Sequence, residues 1–210
     1  MSQKFYLITS QIFQGDFNPK DLNLMLVFQV NCPGCFVYAF PLANYLDRQF
    51  APKGLKVMGL STAFEDYELN TAQNTKLLLE TGALVGETRR ILNENDYPIL
   101  PYRIEFAVAF DDLQPMKNIE LTDEVVEKMC QTLPDYQNLN FTEKKLVHAQ
   151  VKEYLSNKKF SATTFESNNL RGTPSWILYD KEYNLYGQWF GHEAHKEIED
   201  TIKKLLEIHE

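Results

Sequence analysis

A mostly apolar run, Leu24 to Val30, leads directly into Asn31-Cys32-Pro33-Gly34-Cys35, and the amphipathic stretch Phe36 to Phe50 follows without a break. Apolar residues that do not alternate with polar ones read as a strand covered on both faces, at the centre of a sheet. A helix is predicted to begin at the first cysteine, because Pro33 suits the first helical position, where a missing N–H costs nothing. Phe36, Tyr38, Ala39, Leu42, Ala43, Leu46 and Phe50 recur near helical spacing. Pro41 inside that helix predicts a kink and not an end, since the apolar spacing continues past it. After the turn Ala51-Pro52-Lys53-Gly54, Leu55 to Leu60 reads as a second strand. Strand, crossover helix and strand in so short a span make a right-handed parallel unit.

The remaining elements follow from the same signals. Phe5 to Phe13 reads as an edge strand or short hairpin, with a turn at Gly15 to Lys20. Leu69 to Thr81 reads as a helix ending at Gly82, and Leu84 to Asn93 as another. Pro98 and Pro101 interrupt regular structure before a third internal strand, Ile104 to Phe110, which ends at Asp111 and Asp112 in a solvated turn. From Thr122 a helix carries the apolar stripe Val125, Val126, Met129, Cys130 and Leu133. A further helix, Glu143 to Asn157, has Thr142 as its expected cap and Val147, Val151, Tyr154 and Leu155 on one face. Both are expected to pack on the sheet as an inserted subdomain. Ser175 to Tyr179 and Leu185 to Phe190 read as an antiparallel hairpin, and Glu193 to Ile208 as a final amphipathic helix through Ala194, Ile198, Ile202, Leu205 and Leu206.

The composition permits one elaborated domain. With 210 residues, 44% of them apolar, the chain can bury a core without cysteine staples, and its three cysteines do not form a disulfide framework. Twenty-one Lys and Arg against 29 Asp and Glu give a net charge of −8, which argues against nucleic acid or an anionic membrane as a partner. Met1 to Gly15 lacks the pattern of a signal peptide, and no apolar stretch is long enough to span a bilayer, so a cytoplasmic location is expected.

Two thiols three positions apart at a strand-to-helix junction can close a small reversible disulfide, so thiol-disulfide exchange leads the chemical readings. Backbone donors at a helix start favour the thiolate of Cys32, and Cys35 lies one turn away, placed to resolve a mixed disulfide. Two other readings stand beside it. Both cysteines can be small core residues, or they can supply half of a zinc site, in which case Cys130, His148, His192, His195 or His209 would have to converge. Arg171-Gly172-Thr173-Pro174-Ser175, just before the C-terminal hairpin, is the second feature. A proline that opens a strand fits a tight turn and either peptide isomer.

Together these features resemble the thioredoxin-like superfamily, particularly its TlpA-like and peroxiredoxin-related branch. The matching residues are the strand Leu24 to Val30 with Cys32-Pro33-Gly34-Cys35, the strand Ile104 to Phe110, and Gly172-Thr173-Pro174 before a terminal hairpin and helix. The resemblance covers 1–62, 102–112 and 170–210. It implies an α/β fold with a mixed central sheet flanked by helices, formed by one domain over 1–210 with mostly helical insertions at 65–101 and 113–169. It also implies that Cys32 is the attacking nucleophile and Cys35 the resolver, that Pro174 is cis, and that Thr173 presents backbone to a substrate. Trp176, two residues on, is expected beside that substrate.

Several positions depart from the family pattern. Asn31 stands where many thioredoxins have tryptophan, and Leu26 where thioredoxin has a buried aspartate. Pro33-Gly34 reverses the thioredoxin dipeptide, and Pro41 falls one residue late. Peroxiredoxins place a threonine three before the reactive cysteine, where this chain has Gln29.

The resulting expectation is an oxidoreductase that exchanges disulfides with a protein or small thiol and needs no cofactor. If it works as a reductase, a separate electron donor regenerates the dithiol. A non-catalytic binding or scaffold role is the alternative, with Tyr97, Tyr102, Trp176, Trp189 and Phe190 as candidate contact residues, and a thiol peroxidase comes after that. The histidines read as capping, packing or exposed residues, and Cys130 as core.

Overall fold

In a computed structural model, residues 3–133, 135–192 and 195–207 are described. They fall into two compact units, Met1–Asp112 with Ala162–Glu210, and Leu113–Ser161. The first unit begins with β1 (Thr9–Gln14), β2 (Leu22–Phe28), a π-helical turn at Cys35–Ala39, α1 (Phe40–Phe50) and β3 (Leu55–Ser61). It continues through α2 (Ala72–Thr81), α3 (Gly86–Asn93) and β4 (Ala107–Asp111). The second unit carries β5 (Leu113–Pro115), α4 (Asp123–Cys130) and α5 (Phe141–Asn157), and it ends within β6 (Phe160–Ala162). The chain then adds α6 (Thr163–Ser167), β7 (Ser175–Tyr179), β8 (Leu185–Phe190) and α7 (His195–Leu205) to the first unit. Glu193, Ala194 and Ile208, expected in the last helix, lie outside the described residues.

The main sheet has the order β1-β4-β3-β2-β7-β8. β2, β3 and β4 run parallel to one another, and β7, β8 and β1 add antiparallel pairs. This is the mixed α/β sheet that the sequence predicts. Every residue of β2 is buried, as a strand paired on both edges and covered on both faces requires. Its ladder begins two residues before the expected start and stops at Phe28, because β7 pairs from Asn23 to Val27 and β3 from Leu22 to Phe28. Gln29, Val30 and Asn31 therefore leave the sheet and carry the chain up to the cysteines.

A helical turn starts at Pro33, as expected, but the interruption associated with Pro41 lies upstream of it. Residues Cys35–Ala39 take the wider π register, with Phe40 N–H bonded five residues back to the Cys35 carbonyl. Proline lacks an N–H and crowds the carbonyl four residues before it, and a π turn absorbs that interruption without ending the helix. Beneath the turn, Phe28, Phe36 and Phe40 pack edge to face, with ring centroids 4.7 and 5.0 Å apart. Gly59 in β3 lets this cluster close, since a Cβ there would lie 2.8 Å from the Phe106 ring and 3.3 Å from Phe28.

Other elements shift for identifiable reasons. The edge strand starts at Thr9 and not Phe5, whose ring is buried 4.7 Å from that of Tyr179 and whose N–H bonds to Tyr183 O. α2 begins three residues after Leu69, where the Thr71 hydroxyl accepts the Asn74 N–H, and it ends at Gly82 with φ of 73°. In the second unit α5 is capped by Asn140 and not Thr142. The Asn140 side chain accepts the Glu143 N–H while Glu143 reaches back to the Asn140 N–H. α4 and α5 close on a core of their own, Val126, Cys130, Tyr136 and Leu155, whereas Val125, Leu133 and Tyr154 of the expected stripes are exposed.

Asp111 corrects the reading of a solvated turn. It is fully buried, and its carboxylate accepts hydrogen bonds from the Thr62 hydroxyl at 2.8 Å, Thr164 N–H at 2.9 Å and Phe165 N–H at 3.2 Å. Asp112 beside it accepts from the Thr163 hydroxyl. Burial pushes the Asp111 carboxyl above its ordinary range, and the hydrogen bonds from Thr164, Thr62 and Phe165 oppose that shift without cancelling it. A carboxyl raised in the folded state binds its proton more tightly there than in the unfolded chain, so its contribution to stability falls as pH rises through the window above the ordinary aspartate value. Urea unfolding of wild type and Asp111→Asn over a pH series reads this directly. The wild-type advantage over the variant is expected to shrink as pH rises through that window.

Candidate active site

Cys32 and Cys35 are joined by a disulfide, with their Cα atoms 5.4 Å apart. Cys35 is fully buried, and Cys32 keeps 9% of its surface exposed. The Cys35 N–H lies 3.3 Å from Cys32 Sγ and 2.9 Å from the Cys32 carbonyl, so the first helical turn aims a backbone donor at the outer sulfur. That donor favours negative charge on Cys32 once the pair is reduced. No carboxylate stands at position 26. Leu26 is fully buried in β2, opposite Trp176 of β7 and Gly59 of β3.

The loop before β7 meets the cysteines from the other side. The Thr173–Pro174 peptide bond is cis, and the Thr173 carbonyl oxygen lies 3.5 Å from Cys32 Sγ. Gly34 faces the proline ring, with a Cβ there 4.0 Å from Pro174 Cδ. Three bonds fix the loop. The Thr173 hydroxyl donates to Gln29 Oε1 at 3.3 Å, the Ser175 hydroxyl donates to Gly172 O at 2.7 Å, and Gly191 N–H donates to Pro174 O at 2.9 Å. A Cβ on Gly172 would come within 2.9 Å of the Phe190 ring, so the loop and the end of β8 are in close contact.

Cys32, Cys35, Thr173 and Pro174, far apart in sequence, thus meet in one place. Trp176 does not join them. Its side chain is fully buried and its indole N–H donates to Gly191 O at 3.3 Å, so the expectation that it faces a substrate is corrected. The alternation of β7 places residue 176 on the face packed against α1 and the core, where a large ring fills space. Of the other aromatics, Tyr102 and Trp189 pack against the core, while Tyr97 and Phe190 are half exposed. His192 is exposed with its ring edge-on to Tyr38 at 5.7 Å, and His195 is an exposed first residue of α7. Among the described residues, no three His, Cys, Asp or Glu side chains gather where they could hold a metal ion. Among them, too, no helix is long and apolar enough to cross a membrane.

Two residues of the site were visible in the sequence only as departures from a pattern. Gln29 is buried, and besides accepting from Thr173 it donates to Glu65 O at 3.4 Å. Asn31 commits its backbone N–H and both side-chain polar atoms. Its N–H donates to Asn70 Oδ1 at 2.9 Å, its Nδ2 to Asp66 Oδ2 at 2.8 Å, and its Oδ1 accepts the Glu87 N–H at 2.8 Å, in the first turn of α3. Gly86, with φ of 49°, makes room for that side chain, since a Cβ there would sit 2.3 Å from Asn31 Oδ1.

No protein-family model and no curated protein sequence matches the chain. Solved structures do. Over 99% of its length the chain superposes on 98% of a thiol-disulfide isomerase from Corynebacterium glutamicum, at 17% identity and a TM-score of 0.59. The chain has a thioredoxin-like fold. A thioredoxin-like superfamily protein shares 21% identity with it over 97% of this chain and 96% of that one, with a TM-score of 0.56. A thioredoxin-like protein in its oxidized form shares 12% identity over 100% and 98%, with a TM-score of 0.52. Identities this low speak to the fold, and the chemistry has to come from the site.

The Asn31 contacts carry a stability consequence. Asn31→Ala removes the acceptor for the Glu87 N–H and the tie to Asp66, and is expected to cost about 1–2 kcal/mol in urea unfolding. Asn31→Asp keeps the acceptor but sets a carboxylate against Asp66. Its deficit is expected to be larger at pH 7 than at pH 4.

Proposed function

We propose that this chain is a thiol-disulfide oxidoreductase in which Cys32 attacks and Cys35 resolves. The observation that carries the reading is the Cys32–Cys35 disulfide at a helix start, with the Cys35 N–H on the outer sulfur and the Thr173 carbonyl 3.5 Å away. In the reducing direction the Cys32 thiolate attacks one sulfur of a substrate disulfide. The substrate S–S bond breaks, and its other sulfur leaves as a thiolate that takes a proton from water. Cys35, on losing its proton, attacks Cys32 Sγ, releases the second substrate thiolate and closes the Cys32–Cys35 disulfide. Two electrons pass from the pair to the substrate, and a separate dithiol donor must return them. The oxidising direction is the same sequence reversed.

Exposure supports the order of roles. The wholly buried Cys35 sulfur cannot meet an incoming disulfide first, whereas Cys32 has an open side. In this reading Thr173 and Pro174 line the approach, and the substrate is a protein or small-molecule disulfide. The names of the structural neighbours, a thiol-disulfide isomerase among them, agree with the reaction class. A cytoplasmic setting would keep the pair reduced for most of its time.

Equilibration in defined glutathione buffers tests the reading. Wild type is expected to interconvert between dithiol and disulfide, and neither Cys32→Ser nor Cys35→Ser to form the internal bond. With a model disulfide substrate, Cys35→Ser is expected to accumulate a mixed disulfide through Cys32, and Cys32→Ser to accumulate none. A wild-type pair that does not cycle would sink the proposal.

A further inference from the structure

We propose that Tyr102 is a positioning residue for the Cys32–Cys35 pair, acting through the Phe36 carbonyl to hold the widened helical turn that carries Cys35. This inference rests on the exchange reaction proposed above. In an α ladder the Phe36 carbonyl would accept from the N–H of residue 40, and in the π register from that of residue 41. Neither donor serves it. Phe40 N–H bonds to Cys35 O, and residue 41 is proline. Phe36 is itself buried, so its carbonyl has no recourse to bulk water, and a buried acceptor without a donor is costly.

The Tyr102 hydroxyl supplies the missing bond from outside the helix, donating to Phe36 O across 66 positions of sequence. Its ring packs against the core cluster to which Cys32 and Cys35 belong. Burial pushes the hydroxyl further up from its ordinary value, so it remains a donor throughout the pH range in which thiols exchange. Phe36 is peptide-bonded to Cys35, whose own N–H faces Cys32 Sγ. A single run of backbone therefore links the phenol to the reactive sulfur.

Without the hydroxyl, the Phe36 carbonyl regains a partner within the helix only if Phe40 N–H turns back to it from Cys35 O. That changes the register of the turn on which Cys35 sits. In the disulfide the two sulfurs tie this turn down, while in the dithiol it is free to relax. Loss of the bond therefore costs the disulfide more than the dithiol.

The test is a cycle of four proteins, wild type, Tyr102→Phe, Pro41→Ala and the double variant, each equilibrated in glutathione buffers. Tyr102→Phe is expected to shift the equilibrium toward the dithiol by about three- to tenfold, the size of one hydrogen bond. In the Pro41→Ala background the helix can close in either register, through the N–H restored at position 41 or through that of Phe40. There the same change is expected to shift the equilibrium by less than about twofold. A folded Tyr102→Phe protein with the wild-type equilibrium, or an equal shift in both backgrounds, would overturn the proposal. If Tyr102→Phe fails to fold while the double variant folds, the proposal gains the same support, and failure of both would overturn it. If the wild-type pair does not cycle, the exchange reading fails on its own. Tyr102 is then judged by hydrogen exchange at the Phe40 amide, expected faster in Tyr102→Phe and restored in the double variant, with unchanged exchange counting against it.

Discussion

A strand buried on both faces has to leave its sheet with every backbone group accounted for, and β2 does so at the cysteines. Its ladder stops at Phe28, and the next residues bond to other segments. Gln29 reaches Thr173 and Glu65, Asn31 reaches Asn70, Asp66 and Glu87, and the helical turn opens at Pro33. The site is the solution to that exit. Cys32 stands where the central strand becomes the helix, and the cis-proline loop reaches it because β7, which that loop opens, is the neighbour of β2.

Much of this was legible in the chain. The apolar run Leu24 to Val30 marks a central strand because only a doubly covered strand dispenses with alternation. The terminal hairpin is read to the residue, since the turn Asp180 to Asn184 divides two stretches of strong strand composition. Cys32, Cys35, Thr173 and Pro174 came from two short motifs, and the fold brings those motifs together.

What was not legible depended on partners distant in sequence. The environment of Trp176 is set by which face of β7 turns toward α1, and nearness to a loop in sequence carries no information about that. Asp111 at the end of a strand looks like a turn until Thr62 and the start of α6 arrive to bond it. Pro41 signals an interruption, but whether the helix kinks, breaks or widens depends on what can satisfy the carbonyls it strands, and here Tyr102 satisfies one of them. Gln29 and Asn31 were visible as departures from a family pattern, but their roles required knowledge of where the 65–71 loop and α3 lie.

The contacts of Asn31 bear on the proposed exchange at the neighbouring Cys32. Its backbone N–H and both side-chain polar atoms are committed to segments 35 to 56 positions away, and a side chain at Gly86 would collide with it. The loop that carries Cys32 has therefore lost most of its conformational freedom by the time the chain is folded. None of that ordering is left to be done at each encounter, so in the exchange proposed above the binding energy of a substrate disulfide can go toward aligning the three sulfurs.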